Sequence, residues 1–160
     1  MSDLATPVPA SHLSQWLDDF LPGLCLNAYG VAEFSDRNGL HCLLCHDPAL
    51  DRLYFSATLL YCDPTYFPLL SRTALQINWL QHASDGGAVA LDEEGAALHY
   101  CLLIELAGLD AARLGSRLDR AVSTARQLAA RLQADHAEAL LPPLPLEPAA
   151  ASQPALLMRV

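Results

Sequence analysis

The 160-residue chain predicts an α+β domain of order αβββαββα, an antiparallel sheet flanked by helices. Three observations predict it. Arg52 to Tyr61 alternates as a strand does, with Leu53, Phe55, Ala57 and Leu59 on one face and Tyr54, Ser56, Thr58 and Leu60 on the other. Apolar residues recur at helical spacing in three separate stretches, near the start, in the middle and late in the chain. The strand-like stretches are joined by short Asn-, Asp- and Gly-bearing turns, which suit hairpins, not the long crossovers that parallel strands need.

Residues 1–10 read as a frayed lead. Ser11 reads as the N-cap of the first helix. Leu13, Trp16, Leu17, Phe20 and Leu21 then fall at i, i+3, i+4, i+7 and i+8, and Pro22-Gly23 stops the run. Leu24 to Phe34 reads as a strand region. Ser35 to Gly39 is a turn ending in Asn-Gly, a strong hairpin signal, and Leu40 to His46 is the return strand. Asp47 to Asp51 turns again into the strand Arg52 to Tyr61.

Pro68 suits the first turn of the second helix, where a missing N–H costs little. That helix is expected to run to about Gln81 and to carry Leu69, Leu70, Ala74, Ile77 and Leu80, with Leu75 and Trp79 off the stripe. A helix apolar on more than one side needs two surfaces to cover it. One is its own sheet and the other is a candidate subunit interface.

Gly86-Gly87 closes the helical half of a compact unit that runs from Leu75 to Leu106. A short strand, Ala88 to Leu91, a tight acidic turn, Asp92 to Gly95, and a second strand to about Glu105 complete it. Leu98, Tyr100, Leu102 and Ile104 alternate there with His99, Cys101 and Leu103, so cover is expected on both faces. Asp110 can cap the last helix. Its stripe is Leu114, Leu118, Val122, Ala125, Leu128, Ala129 and Leu132, with Arg113, Arg117, Asp119, Arg120 and Arg126 off it. Pro142-Pro143 is expected to end it. The expected organisation is one domain over 1–141 and a mobile Pro- and Ala-rich tail over 142–160, with an apolar end at Leu156-Leu157-Met158.

The net charge of −9 opposes binding to nucleic acid and to anionic membranes. No stretch is long and apolar enough for membrane insertion. All nine basic residues are Arg, and five of them lie between Arg113 and Arg131. The first residues lack a basic n-region, and five Cys make an odd number. Both point to a cytoplasmic chain with reduced thiols.

No nucleotide-binding, nucleophile-elbow or zincin motif occurs. Cys42-x-x-Cys45-His46 is the one constellation with metal or redox spacing. It sits on an expected strand, where positions three apart point to opposite faces. No second such pair exists to complete a zinc site. Nor is it at a helix N-terminus, which lowers thiol pKa values in redox pairs. The expectation is therefore inert cysteines, no catalytic or metal residues and no cofactor. A small thiol or metal enzyme built on Cys42, Cys45 and His46 is the weaker alternative. The Arg113, Arg117, Arg120 row reads as a solvated face with local ion pairs.

Asn78 and Trp79 near the end of the second helix, Gly86-Gly87, Leu91-Asp92-Glu93-Glu94-Gly95 and the strand Leu98 to Leu106 resemble, in order and spacing, the class I type III secretion chaperones, also called the Tir-chaperone family. The resemblance covers about Ser11 to Ala139. It implies an acidic, cytosolic, non-enzymatic homodimer that binds the N-terminal non-globular segment of a secreted effector and keeps it secretion-competent. By resemblance, the dimer forms through the second helix and the adjacent strand, here Leu70, Ala74, Ile77, Trp79, Val89 and Leu91. The first helix and first three strands present apolar patches to the effector, here Leu13, Trp16, Leu17, Phe20, Val31, Phe34, Leu43 and Phe55. The secretion-system ATPase is a further partner that the resemblance admits. A chaperone-like regulator that binds a transcriptional regulator or anti-activator is the alternative within the same family.

Overall fold

The computed structural model describes residues 8–79, 84–92 and 96–136. Its elements are α1 (Ala10–Phe20), β1 (Val31–Ser35), β2 (His41–Asp47), β3 (Arg52–Tyr61), α2 (Phe67–Trp79), β4 (Ala88–Leu91), β5 (Ala97–Glu105) and α3 (Ala111–Asp135), with a 3-10 turn at Pro64–Tyr66. The five strands form one antiparallel sheet in the order β1-β2-β3-β5-β4. The α+β architecture and its order are those the sequence predicts.

The pairing register explains which residues form the core. Cys42 pairs with Ala57, Ala57 with Tyr100, and Tyr100 with Val89; Leu44 pairs with Phe55, and Leu53 with Ile104. Directly opposed residues share a face, and these are all buried. α3 packs on β3, α1 on α3, and α2 on β4. The α3 stripe from Leu114 to Leu132 is buried throughout, and Ala121 joins it. Asp110 caps α3 as expected, its side chain accepting the Arg113 N–H.

Two side chains tie distant segments. Asp36 Oδ1 accepts the N–H groups of Asn38 and Leu40, fixing the first hairpin turn, while Oδ2 accepts from Arg126 Nε and Nη2 of α3 at 3.0 and 2.7 Å. The Tyr100 hydroxyl donates to the Ser84 carbonyl, and its ring lies directly over Gly87. A Cβ at residue 87 would overlap that ring and sit 2.7 Å from the Cys101 carbonyl oxygen, so the close approach requires glycine there.

Several expectations are corrected. α1 starts at Ala10 with Pro9, not Ser11, at the N-cap, and no side chain caps it; Pro9 at φ −62° already presents the extended geometry a cap needs. The strand expected over Leu24 to Phe34 is only Val31–Ser35. Asn27 Oδ1 takes the N–H groups of Tyr29 and Val31, and this turn overrides the apolar signal before it. A register shift between Thr58 and Leu60 puts Leu59 and Leu60 both inside, so Leu60 is not on the outer face. Leu69 is exposed, because α2 presents only Leu70, Ala74 and Ile77 to the sheet. The second face of β5 is left uncovered by the described helices: Leu103 is exposed, and His99 and Cys101 are half-buried. α3 ends at Asp135 with His136 as C-cap, short of Pro142. Leu80, Gln81, Glu93 to Gly95 and the 142–160 tail lie outside the described residues.

Candidate functional site

The apolar stripe of α1 divides. Leu13 and Leu17 are fully buried in the core, so they present no surface to a partner, contrary to expectation. Positions i and i+4 face the protein body where α1 packs on α3. Trp16 and Phe20 lie one step round and remain half-buried. The Phe20 ring meets the Phe34 ring of β1 edge to face at 6.0 Å. It also rests against Gly115 of α3, where a Cβ would lie 3.9 Å away. Leu21, next to Phe20 in sequence and just beyond the helix, is exposed. Trp16, Phe20, Leu21 and Phe34 thus form an apolar rim where α1 meets β1.

That rim lies on the edge strand. His46 donates its N–H to Gly30, and Asp36 donates to Leu40, so even-numbered residues of β1 bond inward to β2. Alternation then turns the backbone groups of Val31, Glu33 and Ser35 outward. Asn27 occupies those of Val31, its side chain accepting the N–H while its own N–H donates to the carbonyl. Among the described residues, Glu33 and Ser35 are left as a short free edge.

Val31 and Leu43 belong to a different surface. They lie on the uncovered face of the sheet, where Val31 pairs with Cys45, Cys45 with Tyr54 and Tyr54 with Leu103 in one row across four strands. Tyr54 and Leu103 are exposed, and sequence reasoning missed both as contact residues; their phase, opposite to that of the core residues of the same strand, was the available signal. Phe55 is in the core, packed edge-on against Tyr100 at 6.2 Å, so it is removed from the expected surface. The structure therefore splits the eight expected contact residues into a rim, an open-face pair and three core residues.

The expected interface residues on α2 divide likewise. Leu70, Ala74, Ile77 and Val89 are buried and hold α2 to β4 within the protomer. Leu91 is half-buried. Trp79 is 86% exposed, and Leu75, absent from the expected set, is 69% exposed. Both line an open groove of about 780 Å³ with Pro68, Arg72, Gln76 and Arg131.

Cys42 and Cys45 lie on opposite faces of β2, Cys42 buried on the core face and Cys45 half-buried on the other. Burial pushes the Cys42 thiol up to about 12, with the Asp36 charge adding to it. Burial also raises Cys45, and the Asp47 charge acts the same way. Both thiols are held protonated, and thiolate is the nucleophile and the metal ligand. Among the described residues, no group of three His, Cys, Asp or Glu is arranged to hold a metal ion. No described helix is long and apolar enough to cross a membrane.

Comparisons with known proteins address the same geometry. The model of the Tir chaperone protein (CesT) family matches residues 12–129. No curated protein matches. Among solved structures, the ExsC-ExsE complex is similar with a TM-score of 0.62 at 18% identity, over 81% of this chain and 96% of that chain. The HopA1-SchA chaperone-effector complex is similar with a TM-score of 0.56 at 22% identity, over 78% and 99%. The Yersinia pestis type III secretion chaperone SycH, solved with a stable fragment of YscM2, is similar with a TM-score of 0.52 at 18% identity, over 72% and 98%. At these identities the likeness to solved structures speaks of the fold alone.

Proposed function

This chain belongs to the Tir chaperone protein (CesT) family, and from that premise we propose that it is a cytoplasmic, non-enzymatic type III secretion chaperone. It binds the N-terminal non-globular segment of a secreted effector and keeps that segment soluble and secretion-competent. The observation that carries this reading is the apolar rim of Trp16, Phe20, Leu21 and Phe34 lying on the free edge of β1. An extended client can bury apolar side chains on such a rim while its backbone pairs with Glu33 and Ser35.

Magnitudes favour a client spread over several patches. Burying one large apolar side chain contributes about 1.5–3 kcal/mol. Association and ordering of a disordered segment cost about as much as a few such contacts supply. The rim is therefore joined by the open-face side chains of Val31, Leu43, Tyr54 and Leu103. A homodimer through the α2 face, with Trp79, Leu75 and Leu91 at the contact, doubles the available track. The secretion-system ATPase is a further partner of the loaded chaperone.

The test is light scattering on the purified chain, alone and co-expressed with N-terminal segments of candidate effectors. A dimer that gains a client segment is expected. Trp16→Ala with Phe20→Ala should weaken client affinity at least tenfold and leave the dimer intact. An unchanged client affinity would remove the rim from the proposal. Capture of a transcriptional regulator or anti-activator in place of an effector would assign the same surfaces to regulation of the secretion system.

A further inference from the structure

Asn27 limits where an added strand can bond to β1. It holds the outward N–H and carbonyl of Val31. Among the described residues, Glu33 and Ser35 keep their outward backbone groups, with Phe34 between them on the opposite face. The two positions differ in charge. Glu33 is exposed, with Leu43 of β2 directly across on its inner side, and no described strand lies on its outer side. His41 Nε2 comes within 3.8 Å of its carboxylate from the β2 side. The fixed cations of this hairpin lie past Ser35: Arg37 in the turn, and Arg126, which Asp36 binds. The edge therefore runs from acidic at Glu33 to basic beyond Ser35.

That gradient dictates what an incoming strand carries. Antiparallel pairing is slightly more stable per residue and is the mode of every pair in this sheet. It puts one incoming side chain directly across from Glu33, on the open face of the sheet. The residues before and after it stand opposite Phe34 and Ala32, on the face where the Phe20 ring meets the Phe34 ring. Those two positions suit apolar side chains. The position across from Ser35, two residues short of Arg37, suits a small polar one. Read from its own N-terminus, the incoming strand is small polar, apolar, basic, apolar.

We propose that Glu33 selects among clients, favouring an extended segment with Lys or Arg directly across from it and disfavouring one with Asp or Glu there. The inference rests on the reading of β1 as an edge to which a client strand adds, and it names the sequence that strand carries. Opposite charges facing each other across a strand pair are favourable and like charges unfavourable, so the two clients differ in affinity by about tenfold. The pair is exposed, so added salt narrows the difference.

The test uses three synthetic peptides with a Thr-Ile-X-Ile core between Gly and Ser flanks, X being Lys, Gln or Glu. Each is titrated into the isotope-labelled full chain, and the amide resonances of Glu33 and Ser35 report both the place of binding and its affinity. The Lys peptide should bind about tenfold more tightly than the Glu peptide, with the Gln peptide between them. High salt should bring the three together, and Glu33→Lys should invert their order. Equal affinities, read from shifts at Glu33 and Ser35, overturn the selection and leave strand addition standing. A Lys preference that survives Glu33→Lys also overturns the selection. Binding that leaves both amides unshifted, or no binding up to millimolar peptide, overturns strand addition at β1 and the selection with it. If Glu33→Lys does not fold, the order of the three peptides on the parent chain and its response to salt decide.

Discussion

Asn78 pairs with Val89 as a neighbouring strand would. Its Oδ1 accepts the Val89 N–H at 2.7 Å and its Nδ2 donates to the Val89 carbonyl at 2.9 Å. One side chain of α2 thereby satisfies the outward backbone groups at the middle of edge strand β4, and an edge so occupied is closed to pairing with another chain.

Asn78→Ala is expected to remove both bonds and leave two half-buried backbone groups without partners. The cost should be about 2 kcal/mol of unfolding free energy, from the penalty for orphaned polar groups. Urea denaturation measures it. A variant as stable as the parent would show that water replaces the amide without loss, and the edge-closing role would fall with it.

Asn78 also shows what sequence can and cannot reveal. Its place near the end of a helix, ahead of a double glycine, was legible, but its bond to a strand eleven residues on was not. The strand Arg52–Tyr61 was legible to its last residue, because two-residue alternation marks both ends. The bulge at Thr58 and Leu60 was hidden, since Leu59-Leu60 reads equally well in either phase. In the candidate site, an apolar stripe says which side of α1 faces the protein. It cannot say that α3 packs against α1 and leaves Leu17 in the core while Phe20 rests against Gly115 and the Phe34 ring at the rim. Trp79 was legible as an outlier because three-dimensional context had only to leave it alone.

The free edge of β1 makes a sharper test of strand addition than any apolar substitution. Glu33 directs its N–H away from β2, so Glu33→Pro removes a donor that the sheet does not use. The fold should survive, with circular dichroism and urea midpoint close to the parent's. Client affinity should fall about tenfold, the loss of one to two backbone bonds at about 1 kcal/mol each. Calorimetry with a client segment reads it, and full affinity in the Pro variant would exclude pairing at this edge.

Acid sensitivity follows from one buried and one half-buried imidazole. His46 is 6% exposed and its Nε2 makes no hydrogen bond. Burial holds it below its ordinary value, against the Asp51 and Asp47 carboxylates that favour the charged form. Burial likewise lowers His99, opposed by Asp92 and assisted by His41. In the unfolded chain both titrate near ~6.5. Below that pH the unfolded chain binds protons that the folded chain refuses, so stability rises with pH across this window. Unfolding free energy should be at its full value at about pH 7–8 and decline from about pH 7 to pH 5. Asp36 acts in a separate window. Burial would raise its carboxyl, but Arg126 and the N–H groups of Leu40 and Asn38 outweigh burial and hold it below the ordinary 3.8. Its contribution persists until the pH falls below about 4. His46→Leu should therefore flatten the decline between about pH 7 and 5 and leave the loss at lower pH in place. Urea titrations at a series of pH values check both, and an undiminished slope in the variant would show that His46 takes up its proton while still folded.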